Sequence, residues 1–428
     1  MQDAVQIGLL GLGTVGAGAV QVLSENAHEI AQKVGRPVRV KTVLVRDLRK
    51  ARPVEGDFAL TDRVESILED DEIDIVVEVM GGEEPAKEYM LRALEAGKHV
   101  VTANKDVVAK YGRELFDAAK AHDVDFMFEA SVGGGIPIIL PLKQCLTANK
   151  LYEVMGIVNG TTNYMLTKMT EEKLDYASVL AEAQEKGYAE ADPTADVGGL
   201  DAARKMAILA SIAFNTRVVF EDVYVEGITK ITPEDIEYAR ELGYVIKLLA
   251  VGKEHDEDGV EVRVQPAFIP RTHPLAAVSD VFNAIFVRGN AVGEAMFYGR
   301  GAGAGPTASA VLADVIEISR DMVNHAVGRV RCTCFEHKPI CPIEKTVSAY
   351  YVRLLVDDEP GVLGKIAGAF GEQSVSLHSV IQKQRVEGRA EIVAITHSVA
   401  EENLSKALAM IRLLPAVAEV RNVIRVEA

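Results

Sequence analysis

Six residues near the start of the chain constrain its fold more than any others: Gly11-Leu12-Gly13-Thr14-Val15-Gly16. The run VQIGLL at 5–10 reads as a buried strand. The small-residue stretch that follows the glycines reads as a helix with Val15, Ala19, Val22 and Leu23 on one face. In a G-x-G-x-x-G turn between strand and helix, the first Gly permits the tight turn and the second lets the backbone approach a pyrophosphate. The third allows close helix–strand packing. The helix N-terminus adds unpaired N–H groups and a positive dipole facing the phosphates. Gly-rich turns without a ligand are common, so it is the strand before and the helix after that predict a Rossmann-type dinucleotide-binding domain. Val5 to Val20 also resembles the apolar part of a signal peptide, but Asp3 precedes it and no Lys or Arg does, so the basic segment is missing.

The strand VRVKTVLV at 38–45 ends where this fold reads the ribose. An acid there suits the 2′-OH of NAD, and an Arg suits the 2′-phosphate of NADP. Arg46 comes ahead of Asp47, with Arg49, Lys50 and Arg52 behind. This favours NADP, with NAD as the alternative and a solvated basic turn as the plain reading. IDIVVEV (73–79) is another buried strand, ending at Gly81-Gly82. HVVTANK (99–105) is a strand that empties into a loop at Lys105. Ligands of open α/β sheets bind outside such carboxyl ends, although an exposed structural lysine is the commoner case. DFMFEA (125–130) leads into Ser131-Val132-Gly133-Gly134-Gly135-Ile136-Pro137. Three consecutive Gly suit a turn whose backbone faces a ligand or ion, or a hinge.

The densest polar cluster is GYAEADPTADVGGLDAARK at 187–205. Asp201 and Lys205 are four apart on the helix that follows, so they share a face. A surface ion pair is the plain reading. Met206, Ile208, Leu209 and Ile212 make the helix strongly apolar, and burying charge there costs desolvation. GRGAGAGPTA (299–308) is a second Gly-rich turn before a helix expected to pack back on the first domain. The linker at 331–348 holds Cys332, Cys334, His337 and Cys341, an atypical spacing for zinc. The tail reads β-α-β-β-α-β, a ferredoxin-like unit. Its Asp358-Glu359-Pro360-Gly361 turn enters a helix at Val362. Bare N–H groups there suit a carboxylate, and Asp358 suits an ammonium; an N-capped helix in a dimerisation module is the alternative.

A length of 428 residues suggests two to four domains. The expected fold is α/β: a Rossmann domain at 1–137 completed by 304–330, an α+β catalytic and dimerisation domain at 138–303, the linker at 331–348, and the tail at 349–428. The net charge of −17, with no basic block, speaks against nucleic-acid binding. No apolar run reaches the roughly 18–20 residues of a membrane helix. Only four Cys occur, which favours a reducing cytoplasm over a disulfide scaffold.

Together GLGTVG (11–16), VTANK (101–105), the 187–205 cluster and GRGAGAGPTASAV (299–311) resemble homoserine dehydrogenase with a C-terminal ACT domain, over essentially the whole chain. That family interconverts L-homoserine and L-aspartate 4-semialdehyde with NAD(P), in threonine and methionine biosynthesis. The resemblance implies Lys205 as acid/base, Asp201 as its orienting acid, and Lys105 near both substrate and nicotinamide. It implies Glu190 on the substrate ammonium and Asp196 as a further substrate-side acid. Gly11, Gly13, Thr14, Val15, Gly16, Arg46, Lys105, Gly187 and Gly303 would bind the cofactor. EASVGGGIP resembles a monovalent-cation loop, with Glu129 and the carbonyls of Val132, Gly134 and Ile136 offering oxygens to Na⁺ or K⁺. In the tail, Asp358, Gly361, Val362 and Leu363 would bind an effector, L-threonine being the expected one. A homodimer or homotetramer is expected. Aspartate-semialdehyde dehydrogenase is the rival enzyme, but it needs a nucleophilic Cys, and Cys145 lies in PLKQCLTANK with no His nearby in sequence. A non-catalytic amino-acid sensor is the rival of another class; the intact Glu190, Asp201 and Lys205 argue against it.

Overall fold

The structure is a computed structural model and describes residues 4–255, 258–384 and 389–427. The chain opens with alternating strands and helices: β1 (Val5–Leu10), α1 (Thr14–Glu25), α2 (Ala27–Val34), β2 (Val38–Leu44), β3 (Ala59–Thr61) and α3 (Glu65–Leu68). It continues with β4 (Ile75–Glu78), α4 (Ala86–Glu95), β5 (His99–Thr102), α5 (Lys105–Ala121) and β6 (Phe126–Met127). The six strands pair in parallel in the order β3-β2-β1-β4-β5-β6. The strand order reverses between β1 and β4, the switch point where doubly wound sheets take their ligands. Ile7, Leu9, Val43, Val77 and Val101 are buried in one core, as strands covered on both faces require.

Two local readings change. Lys105 does not end a loop; it is the first residue of α5, because the Asn104 side chain caps that helix by accepting the Val107 N–H at 3.3 Å. The strand expected over 125–130 is shorter. β6 gives way to a tight turn at Glu129–Ser131, where the Glu129 carboxylate turns to later backbone amides.

Further along come β7 (Leu151–Ile157), α6 (Gly160–Glu172), α7 (Tyr176–Glu185), α8 (Thr194–Val197), α9 (Leu200–Ala213), β8 (Tyr224–Val225) and α10 (Pro233–Glu241). Then follow β9 (Tyr244–His255), β10 (Gly259–Pro270), β11 (Phe282–Gly289), β12 (Gly293–Arg300) and α11 (Ala304–Asn324). The tail is β13 (Val347–Asp357), α12 (Val362–Glu372), β14 (Leu377–Gln384), β15 (Arg389–Thr396), the short β16 (Val399–Ala400), α13 (Glu401–Arg412) and β17 (Val417–Val426). Apart from β16 this is the expected ferredoxin-like order.

The chain forms two compact units, residues 1–154 with 204–223 and 282–338, and residues 155–203 with 224–281 and 339–428. In the first, α11 returns to pack on α1. Ala310, Val311 and Val315 join the core of the parallel sheet, while Ala313 faces outward. Gly18 lets the two helices meet, since a Cβ there would lie 2.7 Å from the Ala304 carbonyl oxygen. β11 and β12 pair antiparallel, with β7 beside β11.

In the second unit the sheet order is β9-β10-β17-β13-β15-β14. The tail's last strand therefore lies beside β10, in parallel, with Phe268 opposite Val426. Buried charges fix this join. Arg263 on β10 is fully buried and ion-pairs with Glu261 on its own strand and with Glu427 at 2.6 Å; Lys253 also reaches Glu427 at 2.9 Å. A second network has Arg353 beside Asp235 (2.8 Å) and Glu391 (3.3 Å), with Tyr351 and Asn422 donating to Asp235. Among the described residues no helix is long and apolar enough to cross a membrane.

The Arg263 network makes the fold acid-labile. Burial alone would raise the Glu427 and Glu261 carboxyls, but Arg263 with Lys253, and His255 for Glu261, holds each down to about 2. Their unfolded values lie higher, so the unfolded chain binds more protons, and the stabilisation is lost as pH falls from about 5 toward 2. Urea unfolding followed against pH should show this loss, and Glu427→Gln should flatten it. At neutral pH Glu427→Ala should cost toward the lower end of the about 3–5 kcal/mol for breaking a buried pair, because Glu261 still faces Arg263.

Candidate active site

At the switch point of the first unit the backbone is bare. Gly11 adopts φ +104°, in the left-handed region. Gly13 precedes α1 with no side-chain cap, and no heavy atom lies within 4 Å of where its Cβ would be. A Cβ on Gly16 would collide with the Gly11 carbonyl oxygen. The first amides of α1, at Thr14, Val15 and Gly16, have no partner within the helix by geometry. Gly303, at φ +119°, precedes α11, also without a side-chain cap. Two bare helix N-termini thus belong to one unit, and Gly18 against Ala304 brings their helices together. The open volume beside Gly13 and the unpaired amides fit a pyrophosphate. After β2, Arg46 and Asp47 are exposed, and Asp47 Oδ1 accepts the Arg49 N–H at 2.9 Å.

The carboxyl ends of β4 and β5 are stitched by Glu78. It is fully buried and accepts from Thr102 Oγ1 (2.6 Å) and from the amides of Met80 (2.8 Å) and Gly81 (3.2 Å). Burial pushes its carboxyl pKa up against these bonds. Asn104 Nδ2 donates to the Gly82 carbonyl at 2.7 Å, which fixes the start of α5 and with it Lys105. The next residue, Asp106, pairs with Arg204 Nε at 2.8 Å. Arg204 adjoins Lys205, so one ion pair ties the positions beside the two candidate lysines.

The second unit holds the acids. Asn159 caps α6, its Oδ1 accepting the Thr162 N–H at 2.9 Å. Its amide nitrogen donates to Asp196 (2.7 Å) and to Asp201 (2.9 Å). A neutral amide thus holds two carboxylates together, and Asp201 is only 8% exposed. Lys205 follows one turn later on α9 and is half-buried. Gly187, at φ +73°, and Glu190 lie exposed in the turn after α7. That turn is pinned by Thr161 Oγ1 donating to the Tyr188 carbonyl (2.6 Å) and Gln184 Nε2 donating to the Glu190 carbonyl (3.0 Å). Sequence reasoning missed Asn159 and Glu78. The first carried a signal, an Asn between strand and Gly-Thr-Thr at N-cap spacing; the second was an acid inside an apolar strand, which carries none.

In the glycine loop, Gly133 and Gly134 have positive φ, and a Cβ on Gly134 would collide with Gly301. Glu129 is buried. Its Oε1 accepts from the amides of Ile138 (2.5 Å) and Ile139 (2.7 Å), while Oε2, among the described residues, accepts only from Leu140 (2.7 Å). Val132 and Ile136 are buried as well.

In the tail, Gly361 (φ +87°) precedes α12 with no side-chain cap. A cavity of about 190 Å³ beside it is lined by Asp357, Glu359, Val362, Lys365 and the 414–417 turn. Asp358 accepts from Gln382 at 3.1 Å, and Leu363 is 40% exposed.

Comparisons with known proteins agree along the whole length. Family matches are "Homoserine dehydrogenase, NAD binding domain" at residues 11–129, "Homoserine dehydrogenase" at 137–316 and "ACT domain" at 350–412. The chain is 49% identical to a homoserine dehydrogenase of Synechocystis over 99% of each chain. The crystal structure of a homoserine dehydrogenase from Thiobacillus denitrificans is similar at TM-score 0.95 and 45% identity, covering 99% of this chain and 98% of that one. A hyperthermophilic archaeal homoserine dehydrogenase mutant in complex with NADPH is similar at TM-score 0.63 and 27% identity, covering 74% of this chain and 98% of that one. On a bare dinucleotide crevice, an amide-bridged acid pair one turn before a lysine, and this full-length likeness, the chain belongs to the homoserine dehydrogenase family, oxidoreductases acting on a CH–OH group.

Proposed function

We propose that the chain reduces L-aspartate 4-semialdehyde to L-homoserine, and runs the reverse oxidation, with NADP(H). The observation that carries this reading is the Asn159 bridge between Asp196 and Asp201, one helical turn before Lys205. When bound, the nicotinamide supplies or accepts the hydride. The chain's residues do the rest. Lys205 gives a proton to the oxygen that becomes the alkoxide, and takes it back in the reverse direction. Asp201 orients Lys205 and the substrate. Glu190 accepts from the substrate ammonium, Asp196 is a second substrate-side acid, and Lys105 lies near both substrate and nicotinamide. Gly11, Gly13, Thr14, Val15, Gly16, Gly187 and Gly303 line the cofactor. No observation supports a non-catalytic sensor, since the catalytic and NAD-binding families both match.

The glycine loop fits a hard alkali ion. Glu129 Oε2 accepts a single hydrogen bond and keeps a lone pair, and the carbonyls of Val132, Gly134 and Ile136 add neutral oxygens. The chain acts as a homodimer or homotetramer; the exposed Met296 and Tyr298 on the end strand β12 support a partner copy there.

Lys205→Ala should lower kcat by about 10²–10⁴-fold with NADPH binding retained, as expected of a general acid–base group. Stopped-flow turnover beside fluorescence titration of NADPH measures both, and near-normal turnover would sink the assignment.

NADPH should be preferred. Asp47 spends one carboxylate oxygen on the Arg49 amide, Arg46 is exposed at the ribose end, and the archaeal relative was solved with NADPH. Comparing kcat/KM for NADPH and NADH decides it. Arg46→Ala should erode the NADPH value and leave NADH unchanged.

L-threonine should bind beside the α12 N-terminus and inhibit. Removing the tail is a poor test, because it strips Glu427 from Arg263. The variant Asp358→Ala with Glu359→Ala should raise the threonine concentration for half-inhibition at least about tenfold, within the roughly 1–3 kcal/mol range of allosteric coupling, with uninhibited turnover intact. Unchanged inhibition would place the effector elsewhere.

A further inference from the structure

Cys332 and Cys334 lie outside the proposed chemistry, yet they are the most elaborately placed thiols in the chain. Their segment is laid along the end of α9. The Glu336 amide donates to the Asn215 carbonyl (2.9 Å), the Lys338 amide to Thr216 Oγ1 (3.0 Å), and Lys338 Nζ to the Phe214 carbonyl (2.9 Å). Cys334 Sγ donates to the Ser211 carbonyl at 3.7 Å. Behind the two thiols is a cavity of about 30 Å³, room for about two waters. Lys143 and Arg217 also line it. Lys143 sits over the rings of Phe116 (4.7 Å) and Phe128 (5.2 Å). Among the described residues neither cation forms a salt bridge. In front, both cysteines and Arg217 line a groove of about 480 Å³ that opens to solvent beside Arg331 and His337.

We propose that Cys332 and Cys334 form a reversible dithiol–disulfide site, oxidised by low-molecular-weight disulfides that enter through this groove. Lys143 and Arg217 both line the cavity behind the pair, and although the Asp314 and Glu129 carboxylates also act on Lys143, the two cations favour a thiolate there. Cys332 is the one that ionises. The Cys334 S–H, shared between the Cys332 sulfur and the Ser211 carbonyl, and the Cys334 backbone N–H draw the Cys332 thiol below the usual range, while Cys334 keeps its proton. Burial pushes Lys143 down to about 8, which a neighbouring thiolate offsets. Residues two apart span at most about 7 Å even when extended, close to a disulfide's reach of about 4.4–6.8 Å, and the two thiols already hydrogen-bond each other. The chemistry balances. The Cys332 thiolate attacks R–S–S–R, forming a mixed disulfide and releasing RS⁻. Cys334 then yields its proton to RS⁻ and attacks the Cys332 sulfur, releasing the second RS⁻, which takes back from water the proton that Cys332 gave up on ionising. The protein dithiol loses two electrons, and R–S–S–R becomes two thiols.

The test uses the full chain, reduced and then exposed to oxidised glutathione, with peptide mass mapping. The expected product lacks two hydrogens in the peptide holding residues 332 and 334, and dithiothreitol restores it. Cys334→Ser should stop at one glutathione on Cys332, and Cys332→Ser should lose most of the reaction rate. Limiting iodoacetamide on the unaltered protein gives a check that needs no variant: Cys332 should be alkylated ahead of the exposed Cys145. Glutathione accumulating on Cys145 first, stable adducts on both linker cysteines, or undiminished oxidation of Cys332→Ser would each overturn the proposal.

Discussion

A parallel sheet buries both faces, and that requirement organises the first unit. The central strands β1, β4 and β5 are buried on both sides, so each face must be covered by helices. The helices between the strands do not complete the job; α11, from residues 304–324, supplies Ala310, Val311 and Val315 to the core beside α1. The chain must therefore return after a long excursion. Everything from residue 155 to 281 apart from 204–223 belongs to the second unit. One consequence is functional. The return delivers Gly303 and a second bare helix N-terminus to the unit that already carries Gly13.

What was legible in the sequence follows from how locally each constraint acts. Gly11, Gly16 and Gly303 were readable because backbone conformation or contact at each position excludes a side chain. Asp201 and Lys205 were readable because helical spacing puts them on one face. The β-α-β-β-α-β tail was readable from periodicity alone. Asn159 was not, because its role lies in Asp196 and Asp201, which the fold and not the local pattern brings to it. Nor was the partnership of Arg263 with Glu427, where a buried cation on one strand waits for the far end of the chain. Glu129 was read as an oxygen donor, and its three bonds to the amides of 138–140 escaped notice, since the loop's return is set by tertiary packing.

The acids of the second unit fall into two kinds, and their partners divide them. Glu427, Glu261, Asp235 and Glu391 face guanidinium groups, which compensate their charge and fix their geometry. Asp196 and Asp201 share a neutral amide. A guanidinium would neutralise a carboxylate and compete with any cationic ligand. An amide holds two carboxylates in place without itself bringing a positive charge to them. A chain of net charge −17 has acids to spare; the choice of partner decides which of them are structural.

The same reasoning bears on how the tail acts. Its last strand lies against β10, and its final described glutamate is buried against Arg263. A tail joined in this way is no tethered appendage that docks and releases, since parting it would strand a buried cation at a cost of several kcal/mol. Allosteric coupling is typically worth only about 1–3 kcal/mol, too little to drive such a separation. The signal must therefore travel with the join intact. β13 is the strand placed for it: its end at Asp357 borders the cavity beside Gly361, and along its length it pairs with β17, the strand that meets β10. An effector that favours one setting of the Asp357–Gly361 turn favours one setting of β13, and the strands beside β13 are those that lead back to the substrate-side fold.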